Sequence, residues 1–595
     1  MSVSGHDSSV ALISQDSVLF AAQEERFSRI KGDGRFPHLA LKYCFQQPGV
    51  ELCKTIHIVH SGSPFQKSFR ILTQIPSSLF SPKALWKLIK GFAKTSLGIE
   101  SRNFQSKIGR VASECGISKN RLKFHYKEHH KCHAAGAALS SDFENGAALV
   151  IDGIGDFYSS SLFYFNKSSK SLLKRISGDG IKNSVGIFYA AITNFLGFKV
   201  NSGEYKVMGL AAYGEDSKVT KKIEDCVLIN NKSRKLFKIC PGLIQALPGK
   251  RAYTEKLASI FGINPRSQES PTFDKQHLNI AWSMQYVLTR RLRELLKSIP
   301  NIFSTTGFTD VSKIVYSGGV ALNCAANYTF NDFYDRDSIY IQPAAGDSGL
   351  ALGAALLLCH EHGLQISVAK NYCFGTTIAS NLTEEVERYS EISIVSKEQN
   401  QTLKIALQKL LDNKIIAIAR GPMEFGPRAL GNRSIIADPR FESNRDRLNA
   451  AVKKRESFRP FAPIVLAEKF PSLFSGIDSK HMLINAQWMP DRSKYPDLEI
   501  PSAVHRDGSS RVQVLDESDN GFLYSLISSF DKSTGCPALI NTSFNVRGEP
   551  LVRSEIDAIK CFLNSDIDFL ILGDMFIEKN SQYVYENHSL AFPLD

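Results

Sequence analysis

Residues 147–165 read AALVIDGIGDFYSSSLFYF, and the reading of this stretch decides the fold. An apolar run, Ala147–Asp152, is broken by Gly153, Gly155 and Asp156, and a second run, Ser160–Phe165, follows at strand length. That is strand, turn, strand. The same arrangement occurs near the start of the chain, where Ser8–Ile13 and Val18–Gln23 flank Gln15-Asp16-Ser17. The repetition predicts an internal duplication, with each hairpin setting polar residues where the phosphates of a nucleotide can rest. Further along, Lys313–Tyr316, Gly318-Gly319 and Val320–Asn327 predict a strand, a glycine turn and a helix whose N-terminus receives an anion or ribose phosphate. Gly153, Gly155, Gly318, Gly319 and Asn323 are the candidate nucleotide contacts of this half.

A second informative stretch is GPMEFGPRALGNRS, Gly421–Ser434. Glycines let backbone approach a ligand, and Arg428 and Arg433 offer planar bidentate donors to phosphate or carboxylate oxygens. It predicts a phosphate-gripping loop; a glycine-rich surface turn with solvated arginines is the plainer alternative. Soon after come Lys453, Lys454, Arg455 and Arg459, then Arg511, and then Asn541, Ser543, Asn545 and Arg547 just beyond the apolar strand Ala538–Ile540. Small polar residues capping a buried strand suit a small amide and a phosphate together. Composition turns polar near Tyr372–Asn381, which divides the chain into residues 1–370 and 371–595.

The chain has 595 residues, 43% hydrophobic and 22% charged, enough for two buried cores. Its eleven cysteines form no Cys-x-x-Cys pair, which argues against a zinc ribbon and a disulfide framework. The opening residues lack the apolar block of a signal peptide, and no apolar run approaches membrane-span length, so a cytoplasmic protein is expected. The net charge of +13 is uneven: Lys83–Lys131 holds twelve Lys/Arg against three acids. Leu85, Trp86, Leu88, Ile89 and Phe92 recur there at helical spacing, so a solvated basic face of an amphipathic helix pair is expected. The competing readings are a wall of a binding site or a homodimer contact, with nucleic acid third, since no RNA-binding signature accompanies the charge.

His129 and His133 form another chemical cluster. On a helix over Glu128–Ser141 they fall one turn apart on one face, suited to gripping one metal ion. The third ligand expected is Asp347, in the loop Ala344–Gly349 that opens a helix over Leu350–Leu358, while His130 points about 100° away. A His-x-x-x-His pair is also met without metal, so the spacing alone leaves both readings open.

The glycine loop, ADPR at 437–440 and FRPFAP at 458–463 closely resemble the NodU/CmcH/TobZ family of O-carbamoyltransferases. The resemblance runs in order along the chain through HDSSVAL (6–12), EERFSR (24–29), EHHKCHAAGA (128–137), IDGIGD (151–156), VMGLAAYG (207–214), SGGVALNCAAN (317–327), QPAAGDSGLALGAA (342–355) and NTSFNVRGEPLV (541–552). It implies an α/β protein with a duplicated actin-like, TsaD-like N-terminal domain and a YrdC-like C-terminal domain. It also implies a divalent ion, Fe2+ by family expectation, held by His129, His133 and Asp347. Carbamoyl phosphate would be bound by Lys454, Arg511, Asn541 and Ser543, with Arg428 as the glycine-loop arginine.

The chemistry implied is the conversion of carbamoyl phosphate and ATP, with Mg2+, to carbamoyladenylate, then carbamoyl transfer to a hydroxyl of a small molecule. Catalytic roles fall to Lys454 and Arg428 in activation and to His6 as the base taking the acceptor's proton, against a plain hydrogen-bonded turn role for His6. The family has an apolar strand before the His-Asp pair, where this sequence has only Met1-Ser-Val-Ser-Gly, which leaves the acceptor contacts open. Carbamoylation of a tRNA adenosine and a non-catalytic nucleotide-binding protein are the alternatives; a HypF-like role is disfavoured by the missing Cys-x-x-Cys pairs.

Overall fold

The computed structural model describes residues 1–3, 6–63, 98–229, 235–244, 251–267, 270, 272–308, 311–453, 455, 459 and 461–580. Lys454 and the basic residues Lys83–Lys94, with Leu85, Trp86, Leu88, Ile89 and Phe92, lie outside them. The chain forms two compact α/β units. The first comprises Met1–Ser28, Gly32–Leu322 and Asp337–Val368; the second comprises Ala369–Asp595 together with Arg29–Lys31 and Asn323–Arg336. No helix among the described residues is long and apolar enough to cross a membrane.

The first unit carries a five-stranded sheet in the order Ile339–Ile341, Ile314–Ser317, Asn145–Ile151, Tyr158–Asn166, Leu173–Gly180. The first three strands run parallel and the last two continue as antiparallel hairpins. Strand Asn145–Ile151 is central and buried on both faces, which is why it reads as a continuous apolar run rather than an alternation. The earlier hairpin, Ser9–Ser14 with Ser17–Gln23, is antiparallel as well, but it forms its own two-stranded sheet. A third sheet pairs Ile56–Ser61 with Leu122–Lys127 in parallel.

Two helices set the site. Helix His129–Ser140 packs with its Ala134, Ala135, Ala137 and Ala138 against Ala148, Val150, Phe163 and Phe165 of the sheet. Fully burying each phenylalanine contributes roughly 1.5–3 kcal/mol. Helix Leu350–Glu361 lies against it at a distance only glycine allows: a Cβ on Gly353 would stand 2.0 Å from the Cys132 carbonyl oxygen. Small residues thus bring the two helices, and the side chains at their N-terminal ends, close together. The predicted helix Val320–Asn327 is not continuous. Residues Gly319–Leu322 form a 3-10 turn, and a four-residue helix, Cys324–Asn327, follows in the second unit.

The second unit is a mixed eight-stranded sheet in the order Ile392–Ser396, Met575–Lys579, Phe569–Leu572, Ile416–Ala419, Arg433–Ala437, Ala538–Ser543, Ala462–Leu466, Gln513–Leu515. Its residues alternate between two cores with the period of a strand. Ile416 and Ile418 meet helices Gln399–Leu411 and Gly521–Thr534, whereas Ala417 and Ala419 meet helix Glu555–Leu563. Strand Arg433–Ala437 is interior, so the last two residues of the predicted phosphate loop, Arg433 and Ser434, belong to the sheet.

Candidate metal centre and anion site

In the first unit, Glu128 precedes helix His129–Ser140, and His129 and His133 turn inward, 5% and 1% exposed. Asp347 starts the turn that leads into helix Leu350–Glu361. Its Oδ1 lies 3.5 Å from Nε2 of each histidine. A fourth member joins them that the sequence reading did not include. Asp152, at the end of strand Asn145–Ile151, sets Oδ2 3.2 Å from His129 Nε2 and 3.9 Å from His133 Nε2. One donor atom from each of the four residues falls within 4.8 Å of all the others. The signal in the sequence is an acid closing a wholly apolar strand: it has no partner there and must be met from elsewhere.

Burial pushes both carboxyls toward the neutral form, and their mutual repulsion adds to it. The His129 charge and the closeness of both histidines hold Asp347 well below the usual carboxylate range, and His129 and His133 also draw Asp152 down. For His129, burial works against protonation, but the Asp347 charge and the Asp152 hydrogen bond reverse it, raising its pKa to about 10. The cluster therefore draws positive charge to the point where the carboxylates meet. Both ring nitrogens of His133 are buried without a hydrogen bond. Two imidazole nitrogens and two carboxylate oxygens are donors a first-row divalent ion accepts, and its charge would balance the two carboxylates. The residues fit a divalent metal.

His6 stands at the rim, its side chain 35% exposed. Its Nδ1 is 3.1 Å from Asp7 Oδ2, and its Nε2 is 3.9 Å from Asp347 Oδ2. Burial lowers its pKa, but the Asp7 hydrogen bond and the Asp347 charge outweigh that and raise it to about 9.

Gly155, Gly318 and Gly319 have packing roles. A Cβ on Gly318, at φ +95, would lie 2.3 Å from the Ile151 carbonyl oxygen, and Gly319 N–H donates to Asp152 Oδ1 at 3.1 Å. This pair presses backbone against the strand end and orients Asp152, rather than leaving amides for phosphate. At Gly155 a Cβ would stand 2.7 Å from the His130 ring, whose Nδ1 pairs with Ser161 Oγ at 2.7 Å. Gly153 has open space beside it. The Asn323 side chain caps the short helix by accepting from Ala326 N–H at 3.0 Å.

In the second unit the glycine stretch folds around its own acid. Glu424, buried, accepts from the backbone N–H groups of Leu430, Asn432 and Arg433 at 2.7, 2.8 and 3.2 Å. Those amides are taken. Arg433 is fully buried and corrects the expectation of an anion donor: its guanidinium donates to the carbonyls of Arg420, Gly421, Asn432 and Thr376 at 2.9–3.1 Å. It is a strap for the loop. Arg428 is half-buried.

Of the predicted polar group, Asn541, Ser543 and Asn545 lie together around the end of strand Ala538–Ser543. Asn541, 1% exposed, donates through Nδ2 to Gln513 Oε1 at 2.6 Å and to the Ala429 carbonyl at 3.2 Å, while its Oδ1 is buried with no hydrogen-bond partner. Arg511 Nε is likewise buried and unmatched. Ser543 Oγ donates to Asn545 Oδ1 at 2.6 Å and meets a lysine. The lysine is Lys453, whose Nζ reaches Ser543 Oγ at 3.3 Å and Asn545 Oδ1 at 3.0 Å, and also the Ser543 carbonyl. Burial, with Arg455 beside it, lowers the Lys453 pKa to about 7. Its neighbour Lys454, the residue singled out from sequence, lies outside the described residues.

The chain also resembles known proteins along its length. The family model described as carbamoyltransferase N-terminus matches residues 1–356, and that described as carbamoyltransferase C-terminus matches residues 407–579. The chain is 34% identical to an uncharacterized protein, sll1178, of Synechocystis sp., over 97% of this chain and 96% of that one. It is 31% identical to nodulation protein NolNO of Sinorhizobium fredii, over 99% of this chain and 81% of that one. To 3'-hydroxymethylcephem-O-carbamoyltransferase of Streptomyces clavuligerus it is 28% identical, over 49% of this chain and 53% of that protein. These matches favour neither a tRNA-modifying nor a non-catalytic reading. With both of the family's models accounted for along its length, the chain belongs to the carbamoyltransferase family of enzymes.

Proposed function

We propose that the protein carbamoylates a hydroxyl of a small molecule in two steps, one in each unit. The observation that carries the reading is the buried His129, His133, Asp152 and Asp347 cluster with His6 at its rim, in the half that matches the carbamoyltransferase N-terminus. In the second unit, read as YrdC-like, carbamoyl phosphate loses its phosphate to water, and the resulting carbamate displaces pyrophosphate from Mg2+-ATP to give carbamoyladenylate. Lys453, Ser543, Arg511 and Asn541 grip phosphate and amide there, supported by the unmatched Arg511 Nε and Asn541 Oδ1. Lys454 and Arg428 remain candidates for the same site.

The first unit, read as actin-like, then transfers the carbamoyl group: the acceptor oxygen attacks the carbonyl, AMP leaves, and the proton goes to a base. A divalent ion, Fe2+ on family grounds, would be held by His129, His133, Asp152 and Asp347 and would supply Lewis-acid stabilisation. His6 is the base. The Asp7 and Asp347 charges hold its proton, and neutralising Asp347 frees Nε2 to accept one from the acceptor. Gly153, beside which space is open, can let the adenylate phosphate approach.

The test gives purified protein carbamoyl phosphate, Mg2+-ATP and a panel of hydroxylated metabolites. Pyrophosphate release that depends on carbamoyl phosphate, with a carbamate ester formed, is expected. Carbamate ester formed without ATP would refute the adenylate route.

A further inference from the structure

Away from the buried cluster, three histidines gather on the surface of the first unit. His57 lies on strand Ile56–Ser61 and His125 on the parallel strand Leu122–Lys127, and register pairs His57 with Lys123, so the two imidazoles project from one face. His57 Nδ1 stands 3.1 Å from His125 Nε2 with the rings within 6° of parallel. His362, just past the end of helix Leu350–Glu361, sets its ring nearly perpendicular to both, its centroid 5.5 Å from that of His57 and 6.5 Å from that of His125. Glu361, next to His362, pairs with Lys127 at the end of the strand that carries His125.

We propose that His57, His125 and His362 form a second metal site, on the surface, for a divalent transition ion of the Zn2+ class. The two facing nitrogens are at hydrogen-bond distance, 3.1 Å, and a metal would take the place of the proton between them. Two Zn–N bonds of about 2.0–2.1 Å at a tetrahedral angle set the nitrogens about 3.4 Å apart. A few tenths of an ångström of ring rotation reach that spacing. His362 is exposed, and a turn of its side chain would be needed to add the third nitrogen, with water completing four-coordination. Three separate elements are then clipped together, including the two-stranded sheet, an assembly of marginal stability by itself. Imidazole donors select Zn2+, Cu2+ or Ni2+ over Mg2+ or Ca2+. Nothing in the transfer chemistry uses these residues, so the site serves structure or metal sensing.

The experiment uses the full-length protein stripped with chelator and titrated with Zn2+ alone against a chromophoric competitor. The wild type is expected to bind one equivalent more than His57→Ala/His125→Ala, and the His133→Ala protein, its buried site weakened, is expected to keep the surface equivalent. His362→Ala is expected to weaken that equivalent at least tenfold, as loss of even an outer partner costs roughly 10–100-fold. Zn2+ is expected to raise the thermal midpoint of the His133→Ala protein by more than that of the protein in which His57 and His125 are also replaced. Equal stoichiometry and affinity in the wild type and His57→Ala/His125→Ala proteins would overturn the site. Unchanged affinity in His362→Ala would overturn the three-histidine assignment.

Discussion

Loading the buried cluster with metal should expel protons, and the structure sets how many and over what pH range. His129 can ligate only as neutral imidazole, yet in the metal-free cluster the Asp347 and Asp152 carboxylates raise its pKa to about 10. The sign follows: because this pKa is raised, the proton is bound across neutral pH, and metal affinity climbs as pH rises until the proton is lost anyway near 10. At pH 7.5, displacing that proton costs about 3 kcal/mol, from 1.36 kcal/mol per pH unit below a pKa of about 10. That is a few hundredfold in affinity. His6, at about 9 and facing the same Asp347, releases part of a second proton once that charge is neutralised. The assay is titration calorimetry with Zn2+ or Co2+ in buffers of different ionisation heat between pH 6.5 and 8.5, on the His57→Ala/His125→Ala protein so that the surface imidazoles do not contribute. At least one proton released per ion, and affinity rising about tenfold or more per pH unit, are expected. A pH-independent affinity with no proton release would show that His129 is not a ligand.

Asp152→Asn keeps an oxygen for Gly319 N–H but removes one carboxylate from the cluster, so metal content should fall and affinity should drop at least tenfold; unchanged metal analysis would exclude Asp152 as a ligand. Arg433→Met breaks several hydrogen bonds from a buried charged donor, each worth about 1.5–3 kcal/mol, so urea unfolding should show a loss above about 3 kcal/mol. Arg428→Met should leave that midpoint nearly unchanged and instead raise the KM for carbamoyl phosphate. Gly353→Ala would press a methyl to 2.0 Å from the Cys132 carbonyl oxygen, so it should destabilise by about 1–3 kcal/mol and weaken metal binding as the two helices part; unaltered stability would refute the close packing.

Local spacing carried part of this molecule and tertiary pairing the rest. The hairpin at Asn145–Asn166 and the helix bearing His129 and His133 follow from period and composition, because each is specified within a dozen residues or so. Asp347 could be named from its loop because the glycines around it permit close approach, and the structure sets its Oδ1 3.5 Å from both histidines. Asp152 could not be: whether an acid at a strand end faces solvent or a histidine pair depends on helices that arrive from residues 129 and 350. Lys453 and Lys454 are adjacent, and only packing decides which amine is buried against Ser543.

The glycine stretch shows how one residue reverses a motif's meaning. Glycines and arginines at Gly421–Ser434 suggest backbone amides offered to an anion, but Glu424 lies inside the stretch, and a buried carboxylate is itself an anion in need of donors. It takes three amides, and Arg433 in turn satisfies the carbonyls those turns leave inward. A loop that supplies its own anion is a rigid frame rather than a phosphate cradle. The burden of binding an external phosphate shifts accordingly to side chains with unmatched buried atoms, Arg511 and Asn541, and to Lys453 beside Ser543. Charge-assisted side-chain donors hold a phosphate without requiring the frame to move, so loss of Arg511 should raise the KM for carbamoyl phosphate while leaving the unfolding midpoint in place, the opposite of what Arg433 predicts.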